Sequence, residues 1–377
     1  MQTITNFEYK LINKNSNGMK RKLISLLCLL VMGMSAYAQV SGSESPWYDG
    51  EQYVHRKTTY DLKTMPLIKA SGNRFVTADD GKVMQFRGIA ISDPDKVERQ
   101  GHWNKAHFER VKDLGANIVR VPIHPVAWRE RTPKGYMELL DQMVEWCTEL
   151  HLYVMLDWHT IGNLEMEMWQ DPMYITSKAE TYDFWRKIAQ HFAGNQTVAF
   201  YELLNEPTTY RGQLGVCTWA QWKTLVENII TVIRAFDNQT TILVGGFDWA
   251  YDLTPVHESP INAQNIGYTT HPYPNKVKQP WKPKWERDWG FVAATYPVFA
   301  TEFGTDVREG ETIDFDDPEF YGNQILSYLE EQGMGWCIWV FDPTWGGNKI
   351  KTWNYEPTEG LKFWSAGMKG ELKWQKK

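Results

Sequence analysis

Eight short apolar runs recur along the chain, each separated from the next by a longer stretch, and this alternation constrains the fold more than any other feature of the sequence. The runs are "VMQFRGIA" from Val83, "ANIVRVPI" from Ala116, "LYVMLDWH" from Leu152, "VAFYELLNEP" from Val198, "TILVGG" from Thr241, "NIGYTTHPY" from Asn265, "PVFATEFG" from Pro297 and "GWCIWVFDP" from Gly335. Each has the length and composition of a strand. Segments 104–114, 136–150, 179–192, 219–236 and 321–332 lie between them and repeat apolar residues every three or four positions. Leu225, Ile229, Val232, Ile233 and Phe236 illustrate the spacing, which is that of a helix with one buried face. The 377 residues show no linker, composition break or internal repeat, and 42% hydrophobic content suffices for a large core. The pattern predicts a single-domain α/β fold, a (β/α)8 TIM barrel. A doubly wound open sheet would carry a glycine-rich phosphate loop after its first strand, and that position reads "FRGIAISDP" instead.

Ahead of the barrel, "MKRKLISLLCLLVMGMSAYAQV" from Met19 has basic Lys20, Arg21 and Lys22, an apolar stretch from Leu23 to Met34 and then Ala36-Tyr37-Ala38. This is the layout of a secretory signal, so residues 1–38 are expected to be removed after Ala38, Met19 reads as the true start, and the product is expected to be secreted or periplasmic. The apolar stretch is shorter than the roughly 20 residues a membrane span needs, and no other segment comes closer, so no membrane partner is expected. Residues 39–72 read as an irregular lead-in and 73–377 as the barrel domain, opened by a strand pair turning at Asp80-Gly81. Without Cys28 of the signal, Cys147, Cys217 and Cys337 remain, an odd number at scattered spacing that supports neither a disulfide framework nor a metal site. A net charge of -6 with no basic block excludes the footprint of a nucleic-acid binder.

In a barrel the C-terminal strand ends form the site. The residues closing the runs are Arg120 on strand two, Asp157-Trp158-His159 on strand three, Asn205-Glu206 on strand four, His271-Pro272-Tyr273 on strand six, Glu302 on strand seven and Trp339 on strand eight. Pro207 lacks an N–H and stops the ladder, leaving Glu206 at the strand mouth. Two carboxylates facing each other across the mouth are what cleavage of a glycosidic bond requires, one protonated and one ionised. Glu206, at the end of an apolar strand, fits the acid/base, since burial favours its neutral form. Glu302 fits the nucleophile, with Arg120 and Tyr273 stabilising its anion. Asn205 would hold a sugar 2-hydroxyl, His159 and His271 would orient neighbours or bind hydroxyls, and Trp339 would form the floor. With 19 Trp, 18 Tyr and 16 Phe, the chain has flat faces to spare for sugar rings, and Trp158, Trp169, Trp249 and Trp345 are candidate platforms. No H-x-H or H-E-x-x-H pattern occurs, so no metal and no cofactor are expected.

The ordered set "NEP", "HPY", "TEFG" and "WCIWVF" resembles glycoside hydrolase family 5, the large cellulase and mannanase family of retaining (β/α)8 enzymes, over roughly residues 75 to 368. The resemblance implies Glu206 as acid/base and Glu302 as nucleophile, supported by Arg120, His159, Asn205, His271, Tyr273 and Trp339. It implies a polysaccharide or oligosaccharide substrate, with a β-1,4-glucan backbone ahead of β-mannan and then of branched glucans or xylan. A monomer is expected. Transglycosylation would use the same residues, whereas a non-catalytic sugar-binding barrel could dispense with either glutamate.

Overall fold

The structure, a computed structural model, describes residues 59–305 and 313–376. The expected signal segment and most of the expected lead-in lie outside the described residues. Eight strands, β1 (Arg87–Ile91), β2 (Ile118–Ile123), β3 (Tyr153–Trp158), β4 (Val198–Glu202), β5 (Thr241–Gly245), β6 (Ile266–Thr270), β7 (Val298–Ala300) and β8 (Gly335–Phe341), close into one barrel. Every neighbouring pair is parallel, including β8 with β1. The (β/α)8 expectation therefore holds.

The outer layer contains the five expected helices, at Lys105–Asp113, Pro133–Glu149, Lys178–Phe192, Trp219–Arg234 and Tyr321–Glu331, with Glu359–Lys369 following β8. Their starts obey capping chemistry. Asn104, Thr132, Ser177, Thr218 and Thr358 each accept a backbone N–H from the first turn, and Gln221 returns the favour to Thr218 in a capping box. The flank after β5 is less regular: only the short turns Phe247–Ala250 and Thr254–His257 connect it to β6. Among the described residues no helix is long and apolar enough to cross a membrane.

Two expectations need correction. The regular hairpin ahead of the barrel is Ile68–Ser71 with Arg74–Thr77, so a strand occupies the end of the stretch read as irregular. The Asp80-Gly81 turn does form, with Thr77 N–H donating to the Lys82 carbonyl at 2.9 Å, but it leads into a single bridge between Val76 and Val83. The fourth strand ends at Glu202 instead of running through to Pro207. Glu206–Pro207 pairs with Ile161–Asn163 in a separate small sheet, completed by Met168–Trp169, above the barrel.

The hairpin seals the barrel's N-terminal end. Thr241, at the start of β5, donates its hydroxyl to the Ile68 carbonyl, and Tyr153, at the start of β3, donates to the Pro66 carbonyl. Phe75 enters the barrel from below, its ring 4.9 Å from Phe200 and 6.1 Å from both Phe86 and Phe299, mostly edge to face. With this end plugged by apolar rings, the opposite end is where polar side chains converge. Phe75→Ala is expected to cost about 3–5 kcal/mol of stability, read as a lowered urea midpoint, because it removes a buried ring and leaves a cavity among Phe86, Phe200 and Phe299.

Candidate active site

The strand register sets the centre of the mouth. Asp157 on β3 lies beside Glu202 on β4, two buried acids as neighbours on adjacent strands. Arg120, fully buried on β2, separates them electrostatically. Its guanidinium donates from Nε to Glu202 at 2.6 Å, from Nη1 to Glu302 at 2.8 Å and from Nη2 to the Asn205 side-chain oxygen at 2.6 Å, and Nη2 lies 3.0 Å from Asp157. Burial opposes the guanidinium's charge, but Asp157, Glu202 and Glu302 outweigh it and hold the arginine protonated. Burial also works against Glu202, yet Arg120 and His271 keep it below the ordinary carboxylate range. Asp157 goes the other way: burial drives it up, and Glu202 and Glu302 add to the shift. Its carboxyl meets His159 Nδ1 at 2.6 Å, and burial keeps that imidazole neutral.

Glu206 and Glu302 face each other from β4's extension and β7. Main-chain bonds from Asn205 N–H to Trp158 and from Glu206 N–H to Thr160, at 3.2 and 3.0 Å, pin the extension to the strand beside it. Glu206 touches His271 Nδ1 at 3.0 Å, and Tyr273 donates its hydroxyl to Glu302 at 3.0 Å. Burial pushes Glu302 up from the ordinary carboxylate range and Glu206 adds to this, while His271, Arg120 and Tyr273 oppose it. Glu206, His271 and Glu302 each place a potential donor atom within 4.8 Å of the others. The set suits proton transfer better than a resident cation, since His271 spends both ring nitrogens on Glu206 and Thr301, and Glu302 is held by Arg120.

Aromatic rings line the rim. Trp339, half-buried on β8, lies parallel to His159 at 5.4 Å and to Trp345 at 5.5 Å, and its indole donates to the Gly346 carbonyl. Trp345 also meets His124 edge-on and the Lys96 ammonium at 5.1 Å. On the other side, Trp249 sits in a run of three left-handed residues, Asp248, Trp249 and Ala250, with φ of 55°, 56° and 56°. Such backbone costs roughly 1–2 kcal/mol per residue and persists only if clamped. The clamp consists of Gln170, which accepts the Trp249 indole N–H at 2.8 Å, Lys276, 4.8 Å from the ring, and His271 N–H, donating to the Ala250 carbonyl.

This arrangement, an eightfold parallel barrel with two glutamates across its C-terminal mouth, coincides with a family match: residues 77–344 fit the model of Cellulase (glycosyl hydrolase family 5). The chain belongs to glycosyl hydrolase family 5. Among its relatives are Endoglucanase E-5 of Thermobifida fusca, 29% identical over 63% of this chain and 52% of that protein, and Endoglucanase A of Butyrivibrio fibrisolvens, 26% identical over 69% and 62%. The chain thus spans about half to three-fifths of the length of these relatives. A β-glucanase from Saccharophagus degradans, solved in complex with cellotetraose, is 40% identical, covering 86% of this chain and 98% of that one with a TM-score of 0.78. The Thermobifida fusca endoglucanase catalytic domain shares the fold, with a TM-score of 0.64 at 23% identity, covering 83% of this chain and 99% of that one.

In this family 5 chain the structure brings together Arg120, His159, Asn205, Glu206, His271, Tyr273, Glu302 and Trp339, with Trp249 and Trp345 on opposite rims. Trp158 does not join them. It is fully buried, its ring stacked 3.9 Å from Phe184 of the outer helix layer, so it is core and not a sugar platform. Trp169 is tied by its indole N–H to the Thr176 carbonyl within the small-sheet loop. Sequence reasoning assigned no role to Glu202 and Thr301, and none to the Asp93–His124 pair at 2.9 Å. The signal for Glu202 was present: an acid inside an apolar strand needs a buried cation. Replacing Arg120 with Leu is expected to destabilise the protein by about 3–5 kcal/mol in chemical denaturation, since it strands several carboxylates without a counter-charge.

Proposed function

We propose that this family 5 protein is a retaining endo-β-1,4-glucanase, exported by the signal-like segment at residues 19–38, in which Glu302 is the nucleophile and Glu206 the acid/base. The observation that carries the reading is the separation of the two glutamates. Carboxylate oxygens of Glu206 and Glu302 lie within 4.8 Å of each other. That suits direct attack on the sugar, for which carboxyl groups about 5–5.5 Å apart are usual, better than an inverting pair that spans a water at about 6.5–9.5 Å. Support for the substrate class comes from the cellotetraose bound by the Saccharophagus degradans β-glucanase and from the endoglucanase relatives.

Glu302, aligned by Arg120 and Tyr273, attacks the anomeric carbon while Glu206 gives its proton to the leaving oxygen. Water then enters on the vacated side, loses a proton to Glu206 and releases the sugar from Glu302 with its original configuration. Arg120 fixes the Asn205 amide by its oxygen, which leaves Nδ2, buried and without a protein partner, as a donor for a sugar hydroxyl. Trp339 forms the floor, and Trp249 and Trp345 supply faces for neighbouring sugars along the cleft. The work is done by a single chain without a cofactor.

Reducing-sugar release from carboxymethylcellulose, mixed-linkage β-glucan, glucomannan, galactomannan and xylan tests the reading. Glucans are expected to be cleaved, with activity lost by about a hundredfold or more in both Glu206→Ala and Glu302→Ala. Release from galactomannan alone would reassign the substrate, and release untouched by the substitutions would overturn the mechanism. The pH profile gives an independent check. Glu302 works as the anion and its carboxyl is raised by burial, so activity rises with pH through a limb lying above that of a free glutamate. Tyr273→Phe removes a hydrogen bond that favours the anion, and the acidic limb of kcat/KM is expected to move to still higher pH.

A further inference from the structure

Behind Glu206 runs a buried chain of hydrogen bonds that the reaction as described does not use. His271 presents Nδ1 to Glu206 at 3.0 Å and Nε2 to the Thr301 hydroxyl at 3.1 Å. The Thr301 hydroxyl has one proton, and it is donated to Glu202 Oε1 at 2.6 Å, leaving that oxygen only its lone pairs for His271. Glu202 itself is anchored through its other oxygen by Arg120. Once Glu206 is ionised, each ring nitrogen of His271 therefore faces an acceptor, and a doubly protonated imidazolium satisfies both.

We propose that Thr301 and Glu202 are positioning residues that keep His271 doubly protonated against Glu206 and so make Glu206 a stronger acid toward the leaving oxygen. The charges around the ring agree. Burial works against the imidazolium, but Glu202 and Glu206, with Glu302 behind them, raise His271 to about 9. Asp157 and the neutral His159 also lie within electrostatic range, and Arg120 sits beyond Glu202 and Glu302. An N–H donated by a cation stabilises the carboxylate that Glu206 becomes once its proton has gone to the leaving group. Replacing Thr301 with Val breaks the chain at a buried, uncharged link and leaves Nε2 without its acceptor, the Glu202 carboxylate lying 3.7 Å away, so the ring shifts toward its neutral form.

The proposal rests on Glu206 acting as the acid, but its first test does not require activity. In long-range 1H–15N spectra of histidine-labelled protein at pH 7, with His271 assigned from a His271→Asn sample, both ring nitrogens are expected at imidazolium shifts. They should move to neutral values in Thr301→Val, return in Thr301→Ser, and move again in Glu202→Gln. A neutral His271 in the unmodified protein, or an imidazolium unaffected in Thr301→Val, would overturn the proposal. The kinetic test uses leaving groups. Thr301→Val is expected to lose about tenfold in kcat on cello-oligosaccharides, whose leaving oxygen needs the proton, and to keep its rate on a dinitrophenyl cellobioside, whose leaving group does not. Equal loss on both substrates would mean Thr301 only holds the structure, while no activity on either with His271 still switching would count against the assigned function and not against the relay.

Discussion

The Arg120 guanidinium is the interaction on which the site depends. It is wholly buried and touches oxygens from three further strands or their extensions: Asp157 on β3, Glu202 and Asn205 on and after β4, and Glu302 after β7. A planar fork with five donors can serve four acceptors at once, which a lysine ammonium on a flexible stem cannot. Charges this deep are tolerable only when paired and hydrogen-bonded, so the group ties strand positions together as much as it tunes charge. Moving any of these strands out of register would leave both the cation and an acid uncompensated.

Around that fork the barrel distributes protons unequally among like groups. Glu202 stays ionised because it meets Arg120 and His271, whereas Asp157, one strand away, is driven toward its neutral form by burial. His159 and His271 differ for the same reason. His159 is held neutral by burial, helped by His124 and Arg120, while around His271 the carboxylates outweigh burial. Like side chains thus acquire opposite charge states from the balance of burial and partners. The apolar plug at the far end of the barrel and the clamped Trp249 loop hold this geometry from below and from the rim.

Much of the site was legible because most functional residues lie at or near the end of an apolar run, although Arg120 and Trp339 prove to lie inside their strands. Arg120, Asn205, Glu206, His271, Tyr273, Glu302 and Trp339 were all found from that one signal. Trp158 was misread by the same signal, because it too closes a run. In a strand, successive side chains point to opposite faces, so once Asp157 points into the barrel Trp158 must point out toward the helices. Glu202 and Thr301 escaped for another reason: each sits just before a more conspicuous residue, Glu206 and Glu302, and its meaning comes only from partners on other strands.

The sequence by itself determined the alternation of strand and helix and placed a polar residue at or near the end of six of the eight runs. These are local properties, settled by side-chain periodicity. Only the tertiary structure decided which carboxylate meets which cation, which histidine carries the charge, and that the two glutamates approach within 4.8 Å. Those outcomes depend on the register of eight strands far apart in the chain, and electrostatic interactions between buried groups change steeply over an ångström or two, a precision that no local pattern of residues encodes.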